Sequence, residues 1–136
     1  MQDYDKLKQI YSEFTNETYQ YTKELSENVK QQVLKALLLT PNRAIAKLAR
    51  ILETERQGNK LLYAAAFYKK LKEQRIQNIE FVGTPRTAEK FEASPSSIIN
   101  YDYNVLIFGK EPRVVCPIGK TDSLFINMTD LDEKLD

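Results

Sequence analysis

Ile79-Glu80-Phe81-Val82-Gly83-Thr84-Pro85 is where the pattern of this chain changes. Ahead of it, apolar residues recur every three or four positions, the period of an amphipathic helix. Behind it, they gather in runs of four to six bounded by Gly, Pro or Asp, the pattern of short strands. Ile79–Val82 reads as the first strand, ended by Gly83-Thr84-Pro85. Helices followed by strands predict an α+β fold, an N-terminal helical bundle with long helices and then a small C-terminal antiparallel β unit. Three segments follow: a helical domain at 1–77, a short strand and linker at 78–100, and a β unit with a short terminal helix at 101–136.

Upstream, Tyr4, Leu7, Tyr11, Phe14, Tyr21 and Leu25 fall at 4-3 spacing, with Thr18 at the missing step. They predict one aromatic-rich helical face reaching Leu25. Ser26 is placed to cap a second helix carrying Val29, Val33, Leu34, Leu37 and Leu38. That helix stops at Thr40-Pro41, because proline disfavours helical geometry in the residue before it and fits the first turn of a new helix. The third helix is expected from Pro41 to about Ile76, roughly 36 residues or ~54 Å. Gly58 lies midway and marks a kink, a break or a close crossing; Ala64-Ala65-Ala66 is narrow enough for a neighbouring helix to approach.

Downstream, residues 83–100 contain Pro85, Pro95 and three serines and read as a linker. Tyr103–Phe108, Arg113–Cys116 and Ser123–Met128 predict a three-stranded antiparallel unit. Thr129 or Asp130 then caps a last helix holding Leu131 and Leu135. A β unit of this size is too small to be stable alone, so it must lean on the helices or on another chain.

Composition narrows the chemistry. The 136 residues contain one Cys, no His and no Trp. No Ser-His-Asp triad, Cys-His pair or His-ligated metal can be built from them. One Cys forms no internal disulfide, and Cys116, between Val115 and Pro117, reads as a buried structural thiol. Gly119-Lys120-Thr121 resembles the end of a phosphate-binding loop, but Val114 stands where that pattern needs its first Gly, and a strand follows. Asp130, Asp132, Glu133 and Asp136 read as a polar tail. The expectation is a non-enzyme with no catalytic residue, metal, cofactor or small-molecule substrate. The polar start and the lack of a long apolar run point to a cytoplasmic (nucleoid-associated) or nuclear protein without a membrane segment.

The net charge of +1 hides an uneven layout. Residues 1–30 balance at −2, residues 31–80 at +6, and residues 81–136 at −3. Within the basic middle, Arg43, Lys47 and Arg50 are spaced 4 and 3 apart, which puts them on one helical stripe. Such a stripe suits phosphate oxygens or an acidic partner surface. A helix-turn-helix reading is available, with Val29–Leu39 first, a turn at Thr40–Asn42 and Arg43–Leu52 as the reading helix. A small DNA-binding regulator is therefore the alternative function, and a homo-oligomeric binding or inhibitory protein a third.

Taken in order, Glu53-Thr54-Glu55-Arg56-Gln57-Gly58-Asn59-Lys60-Leu61-Leu62-Tyr63-Ala64, Val105-Leu106-Ile107, Cys116 through Ile126, and Asp130 through Leu135 resemble a subunit of GINS, the replication-fork complex. The likeness is to the type with its helical domain first and its small β domain last. The resemblance implies a non-catalytic subunit of a DNA replication complex that supports the replicative helicase through protein–protein contacts in a hetero-oligomer. It implies a helix-bundle interface through Tyr11, Phe14, Leu48, Leu52, Leu62 and Phe67. It implies docking of the β unit through Val105, Ile107, Phe125 and Ile126, and charge-matched contacts at Arg56 and Lys60. The family usually has further helices before its linker and a longer β domain, and this chain departs from it in both.

Overall fold

The structure is a computed structural model that describes residues 4–17, 19–84, 98–99, 101–108, 113–115, 118 and 126–127. Helix α1 (Tyr4–Thr15) buries Leu7, Ile10, Tyr11 and Phe14, the three-four spacing expected of it. It ends sooner than the stripe suggests. The Thr15 hydroxyl donates back to the Tyr11 carbonyl at 3.0 Å, and the chain then straightens into β1 (Gln20–Tyr21). Thr15, Asn16 and Thr22 are weak helix formers, so little local preference opposes this. The Gln20 and Thr22 N–H groups instead donate to the Arg56 and Gly58 carbonyls at 2.9 and 2.8 Å. Tyr21 is consequently an exposed strand residue rather than part of a helical face.

Helix α2 (Glu27–Ala36) starts where expected, with the Val29 N–H donating to the Ser26 hydroxyl at 3.3 Å. It buries Val29, Val33 and Ala36, while Leu38 beyond its end is 84% exposed. Helix α3 (Pro41–Glu55) begins at the predicted proline and buries Ala44, Leu48, Ala49, Ile51 and Leu52.

The single helix expected over 41–76 is instead two. Arg56 adopts a left-handed conformation (φ 59°) and its N–H closes the last turn on the Leu52 carbonyl at 2.8 Å. Gln57–Gly58 forms β2, which pairs in parallel with β1. Asn59 then caps α4 (Lys60–Glu73), accepting from the Leu62 N–H at 3.2 Å. Gly58 marks a break because it is trapped between the two helices. A Cβ there would stand 2.8 Å from Leu62 Cδ1 and 3.0 Å from Leu52 Cδ1.

Helix α4 is buried without interruption from Leu61 to Phe67, and again at Leu71. A helix that is apolar on nearly every side belongs at the centre of a fold. It packs against α1, α3 and the sheet. Left-handed residues Arg75 and Asn78 then turn the chain into β3 (Ile79–Thr84).

The sheet has the order β3-β4-β5-β6, all antiparallel, with β4 at Asp102–Ile107, β5 at Arg113–Val115 and β6 at Ile126–Asn127. The three expected downstream strands are therefore joined by a fourth. The strand at 79–84 is not an isolated piece before a linker; it pairs along the whole of β4, from Ile79↔Ile107 to Thr84↔Asp102. Along β4, Tyr103, Val105 and Ile107 are buried and alternate with less buried neighbours, so one face lies on the helices. One apolar cluster runs from Leu7 through α4 to Val115. The change of pattern near residue 78 thus separates elements that share a core. The sheet gains its support from α4, within the chain. The final helix expected after Thr129, and Cys116, Gly119-Lys120-Thr121, Phe125 and the acidic residues from Asp130 on, lie outside the described residues.

Candidate nucleic-acid interface

The residues expected to meet a partner divide into two sets. Tyr11, Leu52, Leu62 and Val105 have no exposed surface, and Phe14, Leu48, Phe67 and Ile107 are buried with them. Phe67 meets Tyr11 edge-on with ring centroids 5.9 Å apart, and Phe14 lies 5.4 Å away. These side chains fill this chain's own interior, which is where the structure places them in contrast to the interface expected of them. An apolar stripe read from sequence looks the same whether its partner helix lies in the same chain or another. Ile126 sits in β6, paired with Val114; Phe125 is outside the described residues.

The two cations in that expectation each meet a carboxylate within the chain. The Arg56 guanidinium lies 4.5 Å above the Tyr19 ring and 3.5 Å from the Glu17 carboxylate. Lys60 Nζ donates to Asp102 Oδ1 at 3.0 Å, tying the start of α4 to the start of β4. Around Arg56, burial, and then the Glu17 charge, raise the Tyr19 hydroxyl above its ordinary pKa, against the lowering pull of Arg56. Burial also raises Tyr63.

Arg43, Lys47 and Arg50 behave differently. All three are exposed on one stripe of α3, which borders Ala44 and Ile51 and lies well around the helix from Leu48 and Leu52. Among the described residues none of them makes an ion pair. Arg43 lies in the first turn, where the partial positive charge of the helix end adds to its own. No acidic residue occupies that turn. The two helices of the helix-turn-helix expectation have other bounds: α2 ends at Ala36, the connection is Leu37–Thr40, and α3 starts at Pro41.

Beside this stripe lies a feature that sequence reasoning missed. The start of α3 and the end of α4 meet around an open cavity of about 380 Å³ lined by Asn42, Ile45, Ala46, Tyr68, Lys69 and Lys72. Lys72 Nζ lies 5.5 Å from the centre of the Tyr68 ring. Lys69 bridges Glu53 at 3.6 Å and Glu73 at 3.8 Å. The only sequence signal was the concentration of lysines at 69–72, which says nothing about the helix they will face.

Among the described residues, no group of three or more Cys, Asp or Glu side chains is placed to hold a metal ion. No helix there is long and apolar enough to cross a membrane. No protein-family model, curated protein or solved structure matches this chain.

Proposed function

We propose that this chain binds nucleic acid, using the outward face of α3 against the phosphate backbone. The observation that carries the reading is the exposure of Arg43, Lys47 and Arg50 on one face with no carboxylate paired to them among the described residues. From Arg43 to Arg50 the stripe covers about 10 Å of helix axis. Each strand of a duplex carries one charge per ~3.4 Å of duplex axis, so each cation has a phosphate within reach. Binding of this kind needs no catalytic group, consistent with a chain that has no His and one Cys. A role as a subunit of a replication assembly would have to rest on other surfaces, because the side chains expected to carry it fill the core.

The test is a fluorescence-anisotropy titration of labelled DNA by the whole chain at several salt concentrations. Affinity should fall steeply between about 50 and 200 mM salt. Replacing Arg43, Lys47 and Arg50 together by Ala should lower the slope of log K against log salt by roughly 2 to 3. No binding at the lowest salt, or an unchanged slope in the triple variant, overturns the reading.

A further inference from the structure

We infer that the nucleic acid this surface takes is single-stranded, with a base entering the groove between α3 and α4. The inference rests on the proposed role of α3 and adds the class of ligand. Double-stranded backbone needs only surface cations. A single strand also offers unpaired base faces, and proteins that hold one combine a basic track with an aromatic platform beside it.

Both parts are adjacent here. Successive residues of a helix are about 100° apart, so Ala46, on the rim of the groove, lies only ~40–60° around α3 from Arg50 and Arg43. The groove therefore opens directly beside the basic stripe. Its far wall supplies Tyr68, half-buried and braced edge-on by Phe81 at 6.1 Å between ring centroids. Ile45 and Ala46 complete an apolar lining. The cavity of about 380 Å³ falls within the range of small-ligand pockets, room for a flat heterocycle. Lys72 makes no ion pair among the described residues, and its ammonium rests over the Tyr68 ring. A base settling on Tyr68 takes that position, and the ammonium moves to the phosphate beside it. Lys69 is held by Glu53 and Glu73 at the edge of the groove, which leaves Lys72 as the cation that answers the strand on this side.

The experiment compares a labelled oligothymidylate with a duplex of the same length, at low salt, for the whole chain and three variants. The unaltered chain should bind the single strand more tightly than the duplex. Tyr68→Leu, which keeps apolar bulk beside Phe81, should weaken single-strand binding roughly 10-fold and leave duplex binding unchanged. Tyr68→Phe, which keeps the ring, should restore it. Thermal melts of both variants check that the fold persists. Equal or tighter duplex binding, equal losses for both ligands in Tyr68→Leu, or failure of Tyr68→Phe to restore binding overturns the single-strand inference and leaves the role of α3 standing. If the Arg43, Lys47 and Arg50 triple Ala variant binds both ligands as well as the unaltered chain, the role of α3 itself fails, and this inference with it.

Discussion

Asn59 ties the break between α3 and α4 to the rest of the fold. It is 4% exposed and is a buried polar residue at the break between α3 and α4. Its carbonyl oxygen accepts from the Leu62 N–H at 3.2 Å, and its amide donates to the Ile99 carbonyl at 3.1 Å. Asn59→Ala removes both. Loss of the helix cap costs about 1 kcal/mol. The Ile99 carbonyl, buried without a partner, adds about 1–3 kcal/mol. The expected total is about 2–4 kcal/mol, or very roughly 10 °C in melting temperature for a chain of this size. Asn59→Ser keeps a capping oxygen and forfeits only the Ile99 contact, so it should fall between the parent and the Ala variant. The assay is urea unfolding followed by far-ultraviolet circular dichroism, with the slope of the transition checked for constancy. A loss below about 0.5 kcal/mol for Asn59→Ala would refute the reasoning, because surface positions without a structural role show changes of that size. The turn at residues 56–59 would then owe its geometry to something other than this side chain.

Three further outcomes follow from the packing. Phe67→Ala should destabilise the isolated chain by about 3–5 kcal/mol, since a fully packed aromatic is lost from the centre of the core; an unchanged denaturation midpoint would return Phe67 to an intermolecular role. Gly83→Ala should cost about 1–3 kcal/mol in the same measurement, because its Cβ would stand 2.4 Å from Tyr103 Cε1, on a ring held by a 2.7 Å bond from its hydroxyl to the Ile98 carbonyl; neutrality would show that the ring shifts easily. Burial, with a smaller contribution from Tyr101, raises the Tyr103 pKa in the folded chain, so its stabilising effect is complete below the unfolded value of about 10 and fades as pH rises above it. Tyr103→Phe should therefore flatten the alkaline fall in stability, and an identical alkaline profile for both proteins would count against this.

The candidate site was half legible. Arg43, Lys47 and Arg50 are recognisable as one stripe because 4 and 3 spacing on a helix needs no tertiary information. Tyr68 and Lys72 were not, because they become a wall only when α4 is laid against α3. The interface expected at Tyr11, Phe14 and Phe67 shows the converse. Their spacing correctly marks a face that must be covered, and spacing does not say by what. The long helix over 41–76 failed at a particular place. Helix propensity is continuous there except at Gly58 and Asn59, and the β1–β2 pairing that occupies those backbone groups comes from residues nearly forty positions away.

By itself the sequence determined the local elements. The cap at Ser26, the restart at Pro41, the strands near 79–84 and 102–107, and the α+β order all follow from side-chain period, capping and β-branched runs within a few residues of each site. Tertiary structure alone decided how those elements combine. It divided the long helix, drew β3 onto β4, placed α4 at the centre, and turned an apparent partner surface into core. The physical reason is that hydrophobic burial is non-directional. A buried face records its need for cover in the sequence, and only the folded chain shows which surface provides it.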